Sequence, residues 1–265
     1  MKKRNIICFI ILVLSTIAFV AYDQYREKTD DVTAPVITAD SDTITGSVKI
    51  TDEELLSGMK AYDEISGDVS DTLIIEKKSD FIKENERLIS YVAIDESMNV
   101  GRYERTLIYN DYSKPRFVLS EPLSYVVGTR IDILENISAE SSLDGDISQQ
   151  IRYGLDSVID NMKVGKYPVE FRVTDSCGNT SYLNTEIEIY DSSYSGIKVE
   201  LHKYLTYIPK GHKFNKRIYY KGSNIEGDVS AVSTVNTKVA GTYYVDYYVN
   251  GVNAKGKSRL IVVVY

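Results

Sequence analysis

The chain has 265 residues, 43% hydrophobic and 26% charged, with a formal net charge of −7. Those proportions exclude a wholly disordered chain and fit two or three small domains. Two Cys and two His rule out a disulfide framework and leave little for a metal centre.

Lys2, Lys3 and Arg4 precede a stretch from Ile6 to Tyr22 that holds no charge and no Pro. A helix of that length spans about 25 Å, the short end of what crosses a bilayer. The basic start predicts a cytoplasmic N-terminus, with everything after Tyr22 outside the cell. A cleaved secretory signal shares this design. Cuts after Ala21 or Ala18 would set Phe19 or Thr16 at the upstream small-residue position, a poor fit. Cys8 leads the apolar core instead of following it, which argues against lipid attachment. The reading is therefore a cytoplasmic tail at 1–5, an uncleaved transmembrane signal-anchor at 6–22 and a linker at 23–32. Cys177 is then the one cysteine outside the membrane, so no intramolecular disulfide forms there. A disulfide-free exported chain points to a bacterial cell surface, Gram-positive in type.

Beyond the linker the tetrad Gly-Asp-Val/Ile-Ser occurs at Gly67–Ser70, Gly145–Ser148 and Gly227–Ser230. After each comes a run with period two. In the second, Tyr167, Val169, Phe171 and Val173 alternate with polar residues, as in a half-buried strand. Tyr243, Val245, Tyr247 and Val249 do the same in the third, and Ile89, Tyr91 and Ala93 in the first. Gly165 and Gly241 open two of these strands; Asn85 holds the corresponding place in the first, where positive φ is tolerated. Asp95–Asn99 and Asp175–Asn179 read as side-chain-stabilised turns. Closing strands follow at Arg105–Tyr109, Thr185–Tyr190 and Leu260–Tyr265. One short helical turn is expected near Asp52–Leu56.

These features place units at 33–112, 113–191 and 192–265, each a small antiparallel β-sandwich. Ala34-Pro35 and Lys114-Pro115 open the first two. The opening Pro, the Gly-Asp step, the Gly-Thr-Tyr-like strand and the Asp-x-x-x-Asn turn resemble tandem bacterial immunoglobulin-like repeats over about 33–265. The resemblance implies an all-β fold of three immunoglobulin-like domains after the membrane helix, the third divergent and basic. It also implies a role as spacer, stalk or adhesive module, and it does not name a ligand. Placed end to end, three such domains would reach about 100 Å. That is short for projection through a thick wall and implies action within or beneath it.

Charge is unevenly spread. Residues 33–112 hold 8 basic against 17 acidic residues, 113–191 hold 7 against 13, and 192–265 hold 11 against 4. Lys210, His212, Lys213, Lys216 and Arg217 lie close together in the basic segment and form the candidate ligand-binding set. Clustered cations would attract an anionic wall polymer in a salt-dependent way. The plain alternatives are a solvated surface, or docking onto the acidic neighbours. Tyr244 and Tyr248, expected to face outward, join the set as residues that could stack on sugar rings, although strand propensity alone accounts for them. Asp144, Asp146, Asp175 and Asn179 are weak calcium candidates, since their spacing matches no EF-hand and turn formation explains them.

There is no zinc-protease His-Glu-x-x-His, no Gly-x-Ser-x-Gly elbow and no phosphate-binding Gly-rich loop. The expectation is a non-enzymatic protein without cofactor or metal. It would be held in the membrane and bind a wall polymer or an envelope protein through its third domain, with no role for nucleic acid. The alternative is a passive spacer or scaffold in the envelope with no ligand of its own. Charge reversal at Lys213, Lys216 and Arg217 separates the two.

Overall fold

The computed structural model describes residues 2–29, 31–156 and 158–265. Helix α1 (Lys2–Thr29) carries a 20-residue stretch, Ile6–Tyr25, long and apolar enough to cross a membrane. The helix runs through most of the stretch expected to be a linker. Asp23 to Thr29 contains no Pro or Gly, and its Gln, Arg, Glu and Lys are strong helix formers.

All other large elements are strands, and the chain packs as two compact units, Met1–Asn110 and Asp111–Tyr265. In the first unit the strands are β1 (Val36–Ala39), β2 (Thr43–Gly46), β3 (Met59–Asp63), β4 (Gly67–Asp68), β5 (Ile74–Lys83), β6 (Glu86–Ile94) and β7 (Val100–Tyr109). They form one sheet of order β1-β3-β4 and another of order β2-β7-β6-β5. Pairing is antiparallel except for β2 with β7, which is parallel. The sheet of order β2-β7-β6-β5 is thus mixed and not purely antiparallel, because the chain crosses from one sheet to the other between Ala39 and Thr43. Ile89, Tyr91, Ala93 and Leu107 are fully buried between the sheets.

The short helix α2 (Asp52–Leu56) forms where expected. Thr51 accepts from the Glu54 backbone N–H while the Glu54 carboxylate accepts from the Thr51 N–H, a reciprocal cap. The cap aims Leu55 into the core at 0% exposure, and the Tyr91 hydroxyl donates to the Leu55 carbonyl at 2.9 Å.

The second unit holds two further sheet pairs. The first comprises β8 (Arg116–Leu119), β9 (Ser124–Val126), β10 (Ile137–Ser141), β11 (Gly145–Asp146), β12 (Arg152–Leu155), β13 (Gly165–Thr174) and β14 (Thr180–Tyr190). Their order is β11-β10-β8 and β12-β13-β14-β9. The second comprises β15 (Val199–Leu201), β16 (Leu205–Ile208), β17 (Tyr220–Ser223), β18 (Asp228–Ser233), β19 (Gly241–Asn250) and β20 (Lys255–Val264), in orders β15-β17 and β16-β20-β19-β18. Again β9 pairs parallel with β14, and β16 with β20. Buried residues from both pairs, including Phe117, Phe171, Val245 and Leu260, belong to one contiguous cluster. These two segments pack against each other along their sheets, and an end-to-end arrangement does not describe them.

The Gly-Asp-Val/Ile-Ser step recurs structurally twice. Gly67 and Gly145 take φ of +78° and +74°, and Asp68 and Asp146 accept from the N–H groups of Ser70 and Ser148. Val69 and Ile147 bond back to Ala61 and Ala139 and are buried. The third tetrad does something else. Asp228–Ser233 is strand β18, paired with β19, and Val229 is 48% exposed. Asn85 does not adopt positive φ either; its side-chain amide donates to the Tyr109 carbonyl at 2.8 Å and ties two strands. The one non-Gly residue at positive φ among the described residues is Met98, at +67° in the Asp95–Asn99 turn, where the second turn has Gly178 at +83°.

Candidate functional site

The basic residues of 192–265 fall into two populations. One lies against the preceding segment. Arg259, 2% exposed, donates to Asp246 at 2.6 and 3.0 Å and to Glu186 at 2.7 Å, with Glu188 at 3.1 Å. Lys257 donates to both Glu188 oxygens at 2.7 Å. Burial pulls the Arg259 guanidinium pKa down, but the hydrogen bond and charge of Asp246, followed by Glu188 and Glu186, outweigh it and hold the cation firmly charged. These cations neutralise acidic residues of β14 and are spent within the fold.

The other population is the expected cluster. Lys210, His212, Lys213 and Arg217 are exposed on the segment between β16 and β17. The Asn215 side chain caps the Arg217 N–H at 3.0 Å and the His212 N–H bonds the Pro209 carbonyl, so local turns set the loop. Among the described residues no carboxylate pairs with Lys210, His212, Lys213, Lys216 or Arg217. Lys216 is the exception to their freedom, since its ammonium donates to the Ala231 carbonyl at 2.6 Å.

The Gly211 N–H bonds the Thr237 carbonyl at 2.7 Å, which brings in the turn between β18 and β19. The result is an open groove of about 530 Å³ lined in part by Phe214, Asn215, Lys216, Arg217, Asn236 and Lys238. Phe214 packs on Tyr219 with ring centroids 5.7 Å apart. Lys238 escaped the sequence reading because it lies 21 positions beyond Arg217 and only the loop-to-loop hydrogen bond joins them. The groove offers cations and amides around an aromatic wall, a chemistry suited to phosphate or carboxylate groups carried on a polar chain.

Tyr244 and Tyr248 lie elsewhere. They are half-buried on the sheet face that meets the preceding segment. The Arg259 guanidinium sits 4.9 Å from the Tyr244 ring centre, and the Tyr244 hydroxyl is 3.4 Å from that of Thr185. Tyr248 packs 5.8 Å from the Tyr194 ring and has Lys257 5.5 Å from its centre. Burial raises the pKa of both phenols. The alternation puts them on the second face of β19, where Tyr248 packs beside Tyr194 and Lys257 and Tyr244 lines an open cavity of about 590 Å³ together with Thr185 and Glu186.

Three of the four weak calcium candidates accept hydrogen bonds from their own turn or from another segment. Asp144 accepts from the Ser176 N–H and hydroxyl, and Asp146 from the Ser148 N–H, which lowers its pKa together with the Ser148 hydroxyl. Asp175 accepts from the Cys177 and Asn179 N–H groups and from the Tyr112 hydroxyl. Among the described residues no cluster of three metal-ligating His, Cys, Asp or Glu side chains includes Asp144, Asp146 or Asp175.

No protein-family model matches the chain. An alignment over 139 residues, which takes in 49% of this chain, is 27% identical to the pesticidal crystal protein Cry22Aa of Bacillus thuringiensis and covers 18% of it. The chain thus spans under a fifth of that relative. Among solved structures, the M60 catalytic domain with CBM51 domains of Clostridium perfringens ZmpB matches with a TM-score of 0.29 and 10% identity, covering 88% of this chain and 43% of that one. Extracellular cadherin domains 1–5 of protocadherin gamma B2 match with a TM-score of 0.20 and 9% identity, covering 89% and 61%. Similarities this low carry neither architecture nor ligand to this chain.

Proposed function

We propose that this is a non-enzymatic, membrane-anchored protein of the bacterial envelope. Helix α1 holds it in the membrane, immunoglobulin-like sandwiches lie outside, and the basic groove at 209–217 and 233–239 binds a phosphate-bearing wall polymer. One observation carries the reading. Within one segment, Lys257 and Arg259 are consumed by carboxylates, whereas Lys210, Lys213, Arg217 and Lys238 are exposed and have no acidic partner among the described residues. Charge complementarity inside the fold therefore does not account for the loop cations. A repeating polyanion fits them, and its binding falls as salt rises.

The test is co-sedimentation of the full chain in detergent micelles with purified cell walls at low and high salt. Lys210→Glu, Lys213→Glu, Arg217→Glu and Lys238→Glu together should abolish a salt-sensitive interaction. Lys216 is left alone because it bonds the Ala231 carbonyl. Equal sedimentation of both proteins overturns the polymer reading and favours the spacer alternative.

A further inference from the structure

We propose that Asp31, Asp63 and Asp95 form a calcium-binding site that fastens the chain entering the first sandwich to two of its loops. One carboxylate oxygen from each lies within 4.8 Å of the other two, and the three carboxylates are buried, Asp31 as a whole residue being half-buried. Opposed ligands of a calcium ion, each 2.3–2.6 Å away, stand about 4.6–5.2 Å apart, so one ion fits within the cluster. Among the described residues no Lys, Arg or His pairs with any of the three. Asp63 and Asp95 are 2% and 4% exposed. Three buried carboxylates facing one another without a cation repel strongly and lose hydration.

A second observation points into the same space. The Oδ2 atom of Asp31 is enclosed and has no hydrogen-bond donor. Its Oδ1 is held by the Thr33 N–H and hydroxyl at 3.0 and 2.7 Å. The other two carboxylates are likewise oriented from outside the cluster. Asp63 Oδ1 accepts from the Ile65 and Ser66 N–H groups at 2.9 and 2.8 Å. Asp95 accepts from the Asn99 N–H and side-chain amide, both at 2.8 Å. That amide also reaches the Asp31 carbonyl at 3.1 Å, tying the entering chain to the turn. A buried acceptor without a donor costs stability, and a hard cation is the partner that satisfies it together with two further carboxylates. Water would complete the six to eight oxygens that calcium takes.

The second sandwich supplies an internal comparison. Strand β10 ends at Ser141 where β3 ends at Asp63, and Asp175 opens the turn that corresponds to the Asp95 turn. There the Tyr112 hydroxyl donates to Asp175 Oδ2 at 2.7 Å. In this corner Ser141 stands where the first sandwich has Asp63, and the Tyr112 phenol supplies a donor to the Asp175 carboxylate.

The experiment is calcium titration of the chelator-stripped full chain in detergent micelles, by calorimetry and by equilibrium dialysis. One ion per chain is expected, with a Kd of about 10⁻⁴–10⁻³ M, the range of extracellular modules, and weaker binding of magnesium. Asp31→Asn should weaken binding at least tenfold. Asp31 precedes β1 and belongs to no strand, so this variant keeps the sheets intact. Asp95→Asn should act likewise, and Asp175→Asn should not. Calcium should also slow amide exchange at Val32–Ala34 in the wild type only. No saturable binding up to about 10 mM calcium, undiminished binding in Asp31→Asn, or equal affinity for magnesium each overturns the assignment.

Discussion

Replacing Arg259 with Met tests how strongly the ion cluster holds the second unit together. The guanidinium is 2% exposed and reaches Asp246, Glu186 and Glu188 within 3.1 Å. Its loss leaves three carboxylates facing Lys257 alone inside the fold. Lys166, 2.8 Å from Glu186, is 55% exposed and compensates little. Removing one partner of a buried ionic group costs about 3–5 kcal/mol, mostly as the penalty on the charges left behind. In a unit of this size each kcal/mol moves Tm by about 2–4 °C, so the expected fall is about 6–20 °C. Differential scanning calorimetry of the full chain in micelles reads it, and the transition of Met1–Asn110 should stay put. Arg259→Lys keeps the charge but loses the planar fork and should fall between. Adding Glu186→Gln and Glu188→Gln to Arg259→Met should recover most of the loss, because the uncompensated charge goes with them. A fall of less than about 2 °C in Arg259→Met would refute the reasoning.

Three further outcomes are expected. Tyr91→Phe removes the buried hydroxyl that meets the Leu55 carbonyl at 2.9 Å; denaturant unfolding should show a loss of about 1–2 kcal/mol in the first unit. Met98→Gly relieves a side chain held at φ +67° and should raise stability by about 0.5–1 kcal/mol, since the left-handed cost of about 1–2 exceeds the added entropy of Gly; a loss in the same measurement contradicts it. Asp68 and Asp146 have pKa values lowered by the Ser70 and Ser148 hydroxyls and N–H groups. Their stabilisation is present above the unfolded value near 4 and is lost as pH falls through the lower folded value, so Asp68→Asn with Asp146→Asn should flatten the decline of Tm below about pH 4.

Local pattern was readable where the fold is local. The alternation at 167–173 and 243–249, the Asp-x-x-x-Asn turns and the helical turn after Thr51 all depend on residues within a few positions of one another. What escaped depends on pairing at a distance. The parallel partnership of β2 with β7 joins residues 43–46 to 106–109 and leaves no periodic mark in either. The third Gly-Asp-Val-Ser looks like the other two, yet Gly227 lacks their positive φ and Asp228 pairs with Asn250 in a different sheet. Tyr244 and Tyr248 were placed on the right face, but a strand does not reveal what covers that face. The carboxylate cluster escaped for the same reason. Asp31, Asp63 and Asp95 stand 32 positions apart in turn, each plausible alone as a surface or turn residue.

Packing also decides which charges remain available for function. In the second unit, β14 brings Glu186 and Glu188 against Lys257 and Arg259 of β20, so the charges on these sheet faces are engaged in ion pairs. What stays open are loops at a sheet end, held by backbone bonds such as Gly211 to Thr237 and by Lys216, whose ammonium bonds the Ala231 carbonyl. That division makes stability separable from the proposed polymer binding. Reversing charge at Lys213 and Arg217 touches no ion pair and should move Tm by less than about 2 °C, the effect expected of surface substitutions. If those same variants also lost salt-sensitive sedimentation with cell walls, the loop cations would act on a partner outside the fold. A large fall in Tm would instead place them in the fold's own electrostatics.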